Sequence, residues 1–273
     1  MLQWRATEEM ISMSNIAQAF KKHKAFIPFI TCGDPNLEFN EQALYTLIEN
    51  GADIIELGIP FSDPVAEGAA IQAASARALK RQTNIEQIFA LVKRIRTKSQ
   101  IPIVFMTYAN VVFSQGQDFL NKCEALGIDG LILPDVPYEE RDLFAPSCKQ
   151  KGIDFISLIA PTSHNRIEKI VQDAQGFIYC VSSLGVTGVR ENIGDLVRTN
   201  VEQIKKTSDL PVAVGFGIST PEQAQQIAQY ADGVIIGSAI VDLCAQGNIK
   251  NPKEVLAALG AYAKSIRNAL DKN

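Results

Sequence analysis

Glu56 is the residue whose surroundings suit it least in this 273-residue chain. It lies in Asp53-Ile54-Ile55-Glu56-Leu57-Gly58, where period-2 alternation places Ile54, Glu56 and Gly58 on one face and Ile55 and Leu57 on the other. If the first face is the interior of a closed sheet, the carboxyl is partly desolvated. Its pKa then rises, and it can serve as an acid and afterwards as a base. The strand alone also allows a glutamate paired with a cation or turned between helices. The segment that follows, Ile59 to Gly68, is too long for a plain turn, is stiffened by Pro60 and Pro64, and carries Asp63 and Glu67. Such a loop suits the mouth of a site. Each acid also has a structural reading: Asp63 as a turn residue, and Glu67 as an acid favoured by the dipole of a helix starting near Gly68.

A second constellation lies late in the chain, at Gly215-Phe216-Gly217 and Gly237-Ser238, each placed between an apolar run and a helical segment. Glycines let a backbone approach a phosphate closely, the exposed N–H groups of a helix start carry positive partial charge, and Ser238 adds a hydroxyl donor. A third glycine-rich segment, Ser182 to Gly188, can add amides or close over a ligand. A glycine pair is usually a turn device, but three such segments on consecutive runs point to a phosphorylated small molecule. The Gly-x-Gly here is no dinucleotide fingerprint, because it comes late and lacks the third glycine.

Composition narrows the remaining classes. The 26 basic and 30 acidic residues give a net charge of −4, so no global basic field exists to hold nucleic acid or an anionic membrane. No apolar stretch approaches the roughly 20 residues of a membrane-spanning helix. The first ten residues contain Arg5, Glu8 and Glu9 and no apolar signal core, so the compartment reads as cytoplasmic. Five scattered cysteines without a C-x-x-C pair fit reduced thiols rather than a disulfide framework or a zinc site. With only His23 and His164 there is little material for a histidine metal centre or a Ser-His-Asp triad, and no metal is expected.

The elements that must position these residues are legible as alternation. Eight short apolar runs occur, at Phe26–Thr31, Asp53–Gly58, Ile101–Met106, Gly130–Leu133, Phe155–Ile159, Phe177–Val181, Pro211–Gly215 and Val234–Gly237. They read as buried parallel strands. Helical periodicity fills the gaps, at Glu38–Glu49, Ala69–Lys80, Ile85–Lys98, Gln117–Ala125, Glu139–Lys151, Arg166–Ala174, Leu196–Lys206 and Pro221–Gln229. Ser219-Thr220-Pro221-Glu222 carries cap, proline and acid in the order a helix start favours. Eight βα units with no linker or change of composition predict a single (β/α)8 barrel domain over residues 1–273, with extra terminal helices at Thr7–Lys21 and Pro252–Leu270. In such barrels the active site lies at the carboxyl ends of the strands, where Glu56 and the glycine pairs fall.

Several blocks carry a family resemblance that runs nearly end to end. They are Phe26-Ile27-Pro28-Phe29 with Gly33-Asp34-Pro35, Glu56 to Pro64, Tyr108-Ala109-Asn110, Pro134-Asp135-Val136-Pro137, Gly185 to Gly188, Gly215 to Ile218 and Gly237 to Val241. In these the chain resembles the alpha chain family of tryptophan synthase. The Glu56–Pro64 block is specific to that family, whereas the glycine motifs are shared with other phosphate-binding barrels. The resemblance implies a (β/α)8 barrel, in agreement with the strand count. It also implies retro-aldol cleavage of indole-3-glycerol phosphate to indole and glyceraldehyde 3-phosphate. No cofactor is expected on this chain, pyridoxal phosphate being carried by a partner beta chain in an alpha2beta2 heterotetramer.

Carried onto matching positions, Glu56 resembles the family's acid/base and Glu67 its second carboxylate, the one that receives the indole N–H. Phe26, Met106, Ile132 and Phe216 match positions lining the indole pocket, and Tyr179 and Thr187 match positions near the carboxylates. Gly188, Gly217, Gly237 and Ser238 form the phosphate set, and Gly215 joins the substrate-binding positions. The chain departs from the family at Ala66-Glu67-Gly68-Ala69, where aspartate and then proline are usual. Glutamate is longer by one C–C bond, about 1.5 Å, and a misplacement of about 1 Å can cost roughly 10²-fold in rate. That departure motivates a second reading, a weakly catalytic or non-catalytic alpha-type subunit that binds and modulates a beta chain. A Schiff-base aldolase of sugar phosphates would need a lysine inside the strands, and none of the eight runs contains one.

Overall fold

The structure is a computed structural model that describes residues 14–272 apart from 66, 162, 164–165, 182–190, 216 and 249. Nine parallel strands are present: β1 (Ala25–Thr31), β2 (Ile55–Gly58), β3 (Ile103–Met106), β4 (Gly130–Ile132), β5 (Asp154–Phe155), β6 (Ser157–Ile159), β7 (Ile178–Val181), β8 (Val212–Gly215) and β9 (Gly233–Ile236). They pair in the order β5-β4-β3-β2-β1-β9-β8-β7-β6. Only Ile156 separates β5 from β6, and its N–H donates to the Leu131 carbonyl at 3.0 Å. The two ends of that order are therefore halves of one stave, and the sheet closes into the expected barrel. The fifth expected run divides because strands in a barrel are staggered: its first half pairs with β4 and its second half with β7.

Around the strands lie α1 (Asn15–Ala19), α2 (Leu37–Glu49), α3 (Ala69–Lys80), α4 (Ile85–Arg96), α5 (Ala109–Gln115), α6 (Gln117–Ala125), α7 (Ala145–Gln150), α8 (Ile167–Gln172), α9 (Glu191–Thr207), α10 (Pro221–Ala228), α11 (Ser238–Ala245) and α12 (Pro252–Leu270). The expected start of α10 is realised as a capping box: the Thr220 side chain accepts from the Gln223 N–H, and the Gln223 side chain accepts from the Thr220 N–H. One expected helix, Glu139–Lys151, is instead a 3-10 turn (Tyr138–Leu143) followed by α7. Pro146 explains the break, since it sits in the first turn of α7 and supplies no N–H to continue an earlier helix.

Strand parity divides the core into two layers. Ala25, Ile27, Phe29, Ile54, Val104, Met106, Ile132, Ile156, Tyr179, Ala213 and Ile235 alternate along the strands and pack together inside the barrel. Residues of the other parity, such as Ile30, Ile55, Leu57 and Phe105, pack outward with helix residues including Leu44 and Leu47. Phe26 belongs to this outer layer. It stands three positions from Phe29, hence on the opposite side of β1, so the pocket-lining place expected for Phe26 falls to Phe29.

Aspartates set the register at the barrel floor. Asp53 donates its N–H to the Phe26 carbonyl at 2.9 Å, while its carboxylate accepts from the Phe26 N–H at 2.8 Å. Asp129 grips Ile103 in the same two ways, at 2.9 Å each, and Asp232 grips Val212 at 2.8 and 3.0 Å. Each aspartate precedes one strand and clamps the first residues of its neighbour. Asp53 is further held by His23 at 2.7 Å and Arg267 at 3.0 Å, which engages His23 at the end of the barrel away from Glu56. Replacing Asp53 by alanine orphans the Phe26 N–H and takes one carboxylate from the largely buried Arg267 guanidinium, which keeps Asp271 and the Lys24 carbonyl. The expected loss is about 3 kcal/mol of stability, measured by urea unfolding. A loss under about 0.5 kcal/mol, the range of an ordinary surface change, would show that the clamp does not hold the register.

Candidate active site

The β1–β2 register pairs Phe29 with Glu56 and Thr31 with Gly58. Glu56 therefore shares the interior face with Phe29, among Met106, Ile132 and Tyr179. It is 1% exposed, and neither carboxyl oxygen has a hydrogen-bond partner among the described residues. Burial without a compensating donor disfavours the charged form and pushes the Glu56 carboxyl up to about 8. Among the described residues no cation pairs with Glu56, and the carboxyl is instead favoured in its protonated form at neutral pH. Tyr179 feels the same burial, and after it the neighbouring Glu56 charge, so its phenol stays protonated.

Two glycines make room for the rings around this carboxyl. A Cβ at Gly58 would lie 2.4 Å from Cζ of Phe29, and one at Gly215 would lie 2.5 Å from Oη of Tyr179. Phe29 thus lies across β2, and Tyr179 across β8. Gly215 acts as a packing device for Tyr179, a role that the sequence motif did not reveal.

Glu67 lies just before Gly68, the N-cap of α3, and so outside that helix. Its Oε1 accepts from the Tyr108 hydroxyl at 3.2 Å, and its Oε2 is buried with no partner among the described residues. Burial raises the pKa of Glu67, and the Tyr108 bond partly offsets that rise. Tyr108 is 2% exposed and stacks on Phe61 of the β2 loop, with ring centroids 4.7 Å apart. The loop is thereby tied to the end of β3. Tyr108 appears in a family block of the sequence, yet only the structure shows its contact with Glu67. Asp63 is exposed and accepts from its neighbour Ser62, so it is not brought to the carboxyl pair.

The glycine constellation lies at the ends of β8 and β9, with β1 alone between β9 and β2. Gly217 has φ +77° and open space where a Cβ would stand. Gly237 is the N-cap of α11, Ser238 is its first residue, and no side chain caps this helix. The first N–H groups of a helix have no partner within it, so this end is open to an anion. Ser238 Oγ lies 3.9 Å from where a Cβ of Gly68 would be, which brings the Glu67 segment next to the anion site. Thr187, Gly188 and Phe216 lie outside the described residues. No group of three or more His, Cys, Asp or Glu side chains suited to a metal occurs among the described residues. All five cysteines are free and buried.

Fold and site together define a (β/α)8 barrel with a buried acid, a second carboxylate on the adjoining loop, and an uncapped helix terminus after β9, beside that loop. The family model for the tryptophan synthase alpha chain matches residues 16–271, and the chain belongs to that family. The tryptophan synthase alpha chain of Lacticaseibacillus casei is 50% identical over 260 residues, covering 95% of this chain and 96% of that one. The alpha chain of Lactiplantibacillus plantarum is 48% identical over 261 residues, covering 95% and 97%. Among solved structures, tryptophan synthase subunit alpha of Legionella pneumophila superposes with a TM-score of 0.85 at 37% identity, covering 96% of this chain and 100% of that one.

The raised Glu56 pKa has a consequence for stability. The folded state holds a proton that an unfolded glutamate releases near 4.5, so stability falls as pH rises from there through about 8. Glu56→Gln removes the ionisation that causes the fall. Thermal unfolding followed across that range should show the variant gaining on the parent chain as pH rises. A constant difference would mean that Glu56 titrates normally.

Proposed function

We propose that Glu56 and Glu67 are the two carboxyl groups through which this chain cleaves indole-3-glycerol phosphate. The family's alpha reaction releases indole and glyceraldehyde 3-phosphate, and this chain is a carbon–carbon lyase of that kind. The observation that carries the assignment is a buried Glu56 whose oxygens have no donor among the described residues. Protonated at neutral pH, Glu56 gives its proton to the ring carbon that bears the glycerol chain. Positive charge then spreads to the ring nitrogen, whose N–H is accepted by Glu67 Oε2, the oxygen that Tyr108 leaves free. The Glu56 carboxylate next takes the proton of the hydroxyl on the carbon attached to the ring. The C–C bond breaks, its electron pair returns to the ring, the aldehyde departs, and Glu56 is protonated again.

The remaining site residues take supporting roles in this reading. Phe29, Met106 and Ile132 enclose the indole and Tyr179 lies beside Glu56, and the family match adds Phe216 to the first set and Thr187 to the second. Gly217, Gly237, Ser238 and Gly188 hold the phosphate. The longer Glu67 is accommodated by its bond to Tyr108, which holds one oxygen and so orients the other. The chemistry calls for no cofactor on this chain.

A partner beta chain, in an alpha2beta2 assembly in the cytoplasm, completes the reading. Val65, Phe113 and Leu143, which follow β2, β3 and β4, are 75%, 59% and 61% exposed. Large exposed apolar side chains on the segments that follow three neighbouring strands suit a partner surface. Phe113→Asp should weaken the stimulation of indole release by a beta chain while leaving unstimulated release unchanged. Equal stimulation of both proteins would move the docking surface elsewhere.

The direct test is indole release from indole-3-glycerol phosphate, with and without a beta chain. Release that the partner stimulates is expected, and Glu56→Gln should lower it by at least about 10³-fold with folding intact. Tyr108→Phe removes the bond that lowers the Glu67 pKa, so the acidic limb of the kcat/KM profile should move to higher pH. A folded parent chain that releases no indole in either condition would favour the modulating-subunit reading.

A further inference from the structure

Thr31 ends β1 on the interior parity of Ala25, Ile27 and Phe29. It is 2% exposed, and its hydroxyl has no hydrogen-bond partner among the described residues. A buried hydroxyl without a partner is unfavourable, and valine would fill the same volume without that cost. The hydroxyl therefore points to a group that arrives from outside the chain.

Its place in the barrel identifies that group. On one side Thr31 pairs with Gly58, two residues beyond Glu56 on β2. On the other side β1 pairs with β9, through Pro28 and Ile236, and β9 leads directly into Gly237 and Ser238. Thr31 thus stands between the strand carrying the acid and the strand leading to the anion site. A three-carbon chain with its phosphate at Ser238 and its reacting carbon at Glu56 must cross the end of β1. The Glu67–Gly68 segment runs between Tyr108, after β3, and Ser238, after β9. It therefore spans the ends of the strands between them, including β1.

The glycerol chain carries two hydroxyls, and the mechanism uses only the one on the carbon attached to the ring. We propose that Thr31 Oγ1 hydrogen-bonds the other, the hydroxyl on the middle carbon, and so makes the site selective for a hydroxylated chain. This rests on the reading of the site given above. Thr31 touches substrate without taking part in proton transfer, so it acts on recognition and orientation.

Thr31→Val removes the hydroxyl and keeps the shape. For indole-3-glycerol phosphate, kcat/KM should fall about 10-fold, the scale of one lost hydrogen bond in a closed site. The Kd for 3-indolylpropyl phosphate, which keeps ring, chain and phosphate but lacks both hydroxyls, should change by less than about 2-fold, since no bond to Thr31 is lost. Thr31→Ser should retain the parent values for both ligands. If the two ligands weaken equally, Thr31 only maintains the shape of the site; if neither weakens, it contacts no substrate group. Either result overturns the proposal. Should the valine variant not fold, Thr31→Ala is judged by the same ratio between the ligands. A parent chain that does not cleave the substrate would overturn the underlying reading of the site, whereas cleavage with an unchanged ratio would overturn the role of Thr31 alone.

Discussion

The pairing of Phe29 with Glu56 across β1 and β2 is the constraint on which the site depends. A slip of one residue would turn Glu56 into the helix layer and bring Leu57 or Ile55 inside. The clamp at Asp53 opposes that slip, because it fixes Phe26 by both N–H and carbonyl at the other end of β1. From there parity does the rest. Three residues on, Phe29 faces inward, and its register partner is the one charged side chain among the buried residues of β2. An ionisable group is thus kept where no described donor reaches it, and its neutral form becomes the stable one.

The mouth divides the chemistry between two sectors. The carboxyl groups stand on the β2–β3 side, one inside the barrel and one on the loop above it, and the loop is tied down through Phe61 and Tyr108. The candidate anion site stands on the β8–β9 side, where the described groups are the N–H groups at the start of α11 and the Ser238 hydroxyl. Such a site suits a chain with a net charge of −4, since helix N–H groups attract a phosphate locally without a basic surface. In the proposed reading, proton transfer and phosphate binding therefore fall to neighbouring sectors, with β1 alone between β2 and β9. The end of β1, where the Thr31 hydroxyl has no partner among the described residues, lies between the two sectors.

Much of this was legible in the sequence, for definite physical reasons. Parallel strands buried on both faces read as continuous apolar runs, which is why the eight staves were visible and why Glu56 stood out in one of them. The same property hid the distinction between Phe26 and Phe29. In Phe26-Ile27-Pro28-Phe29-Ile30 both parities are apolar, so no alternation says which face is inside, and the pairing with β2 decides. Tyr108 was not legible as a partner of Glu67 because it lies beyond the end of a strand, where period-2 reasoning stops. Short α5 buries only Val112 and so gave little helical periodicity to detect. For Glu67 the sequence alone offered a helix-start acid, and the family match offered a second carboxylate. Its position before the N-cap Gly68, together with a Tyr108 bond to one oxygen, favours the second.

The central claim is that Glu56 is a neutral acid at physiological pH because it is buried in the barrel interior with no donor among the described residues. The most direct test is a ¹³C NMR titration of the glutamate carboxyl carbons in labelled protein, with the Glu56 resonance assigned by its disappearance in Glu56→Gln. The account predicts a resonance that remains in its protonated position through neutral pH and titrates with a midpoint near 8. A midpoint in the ordinary glutamate range, near 4.5, would contradict it.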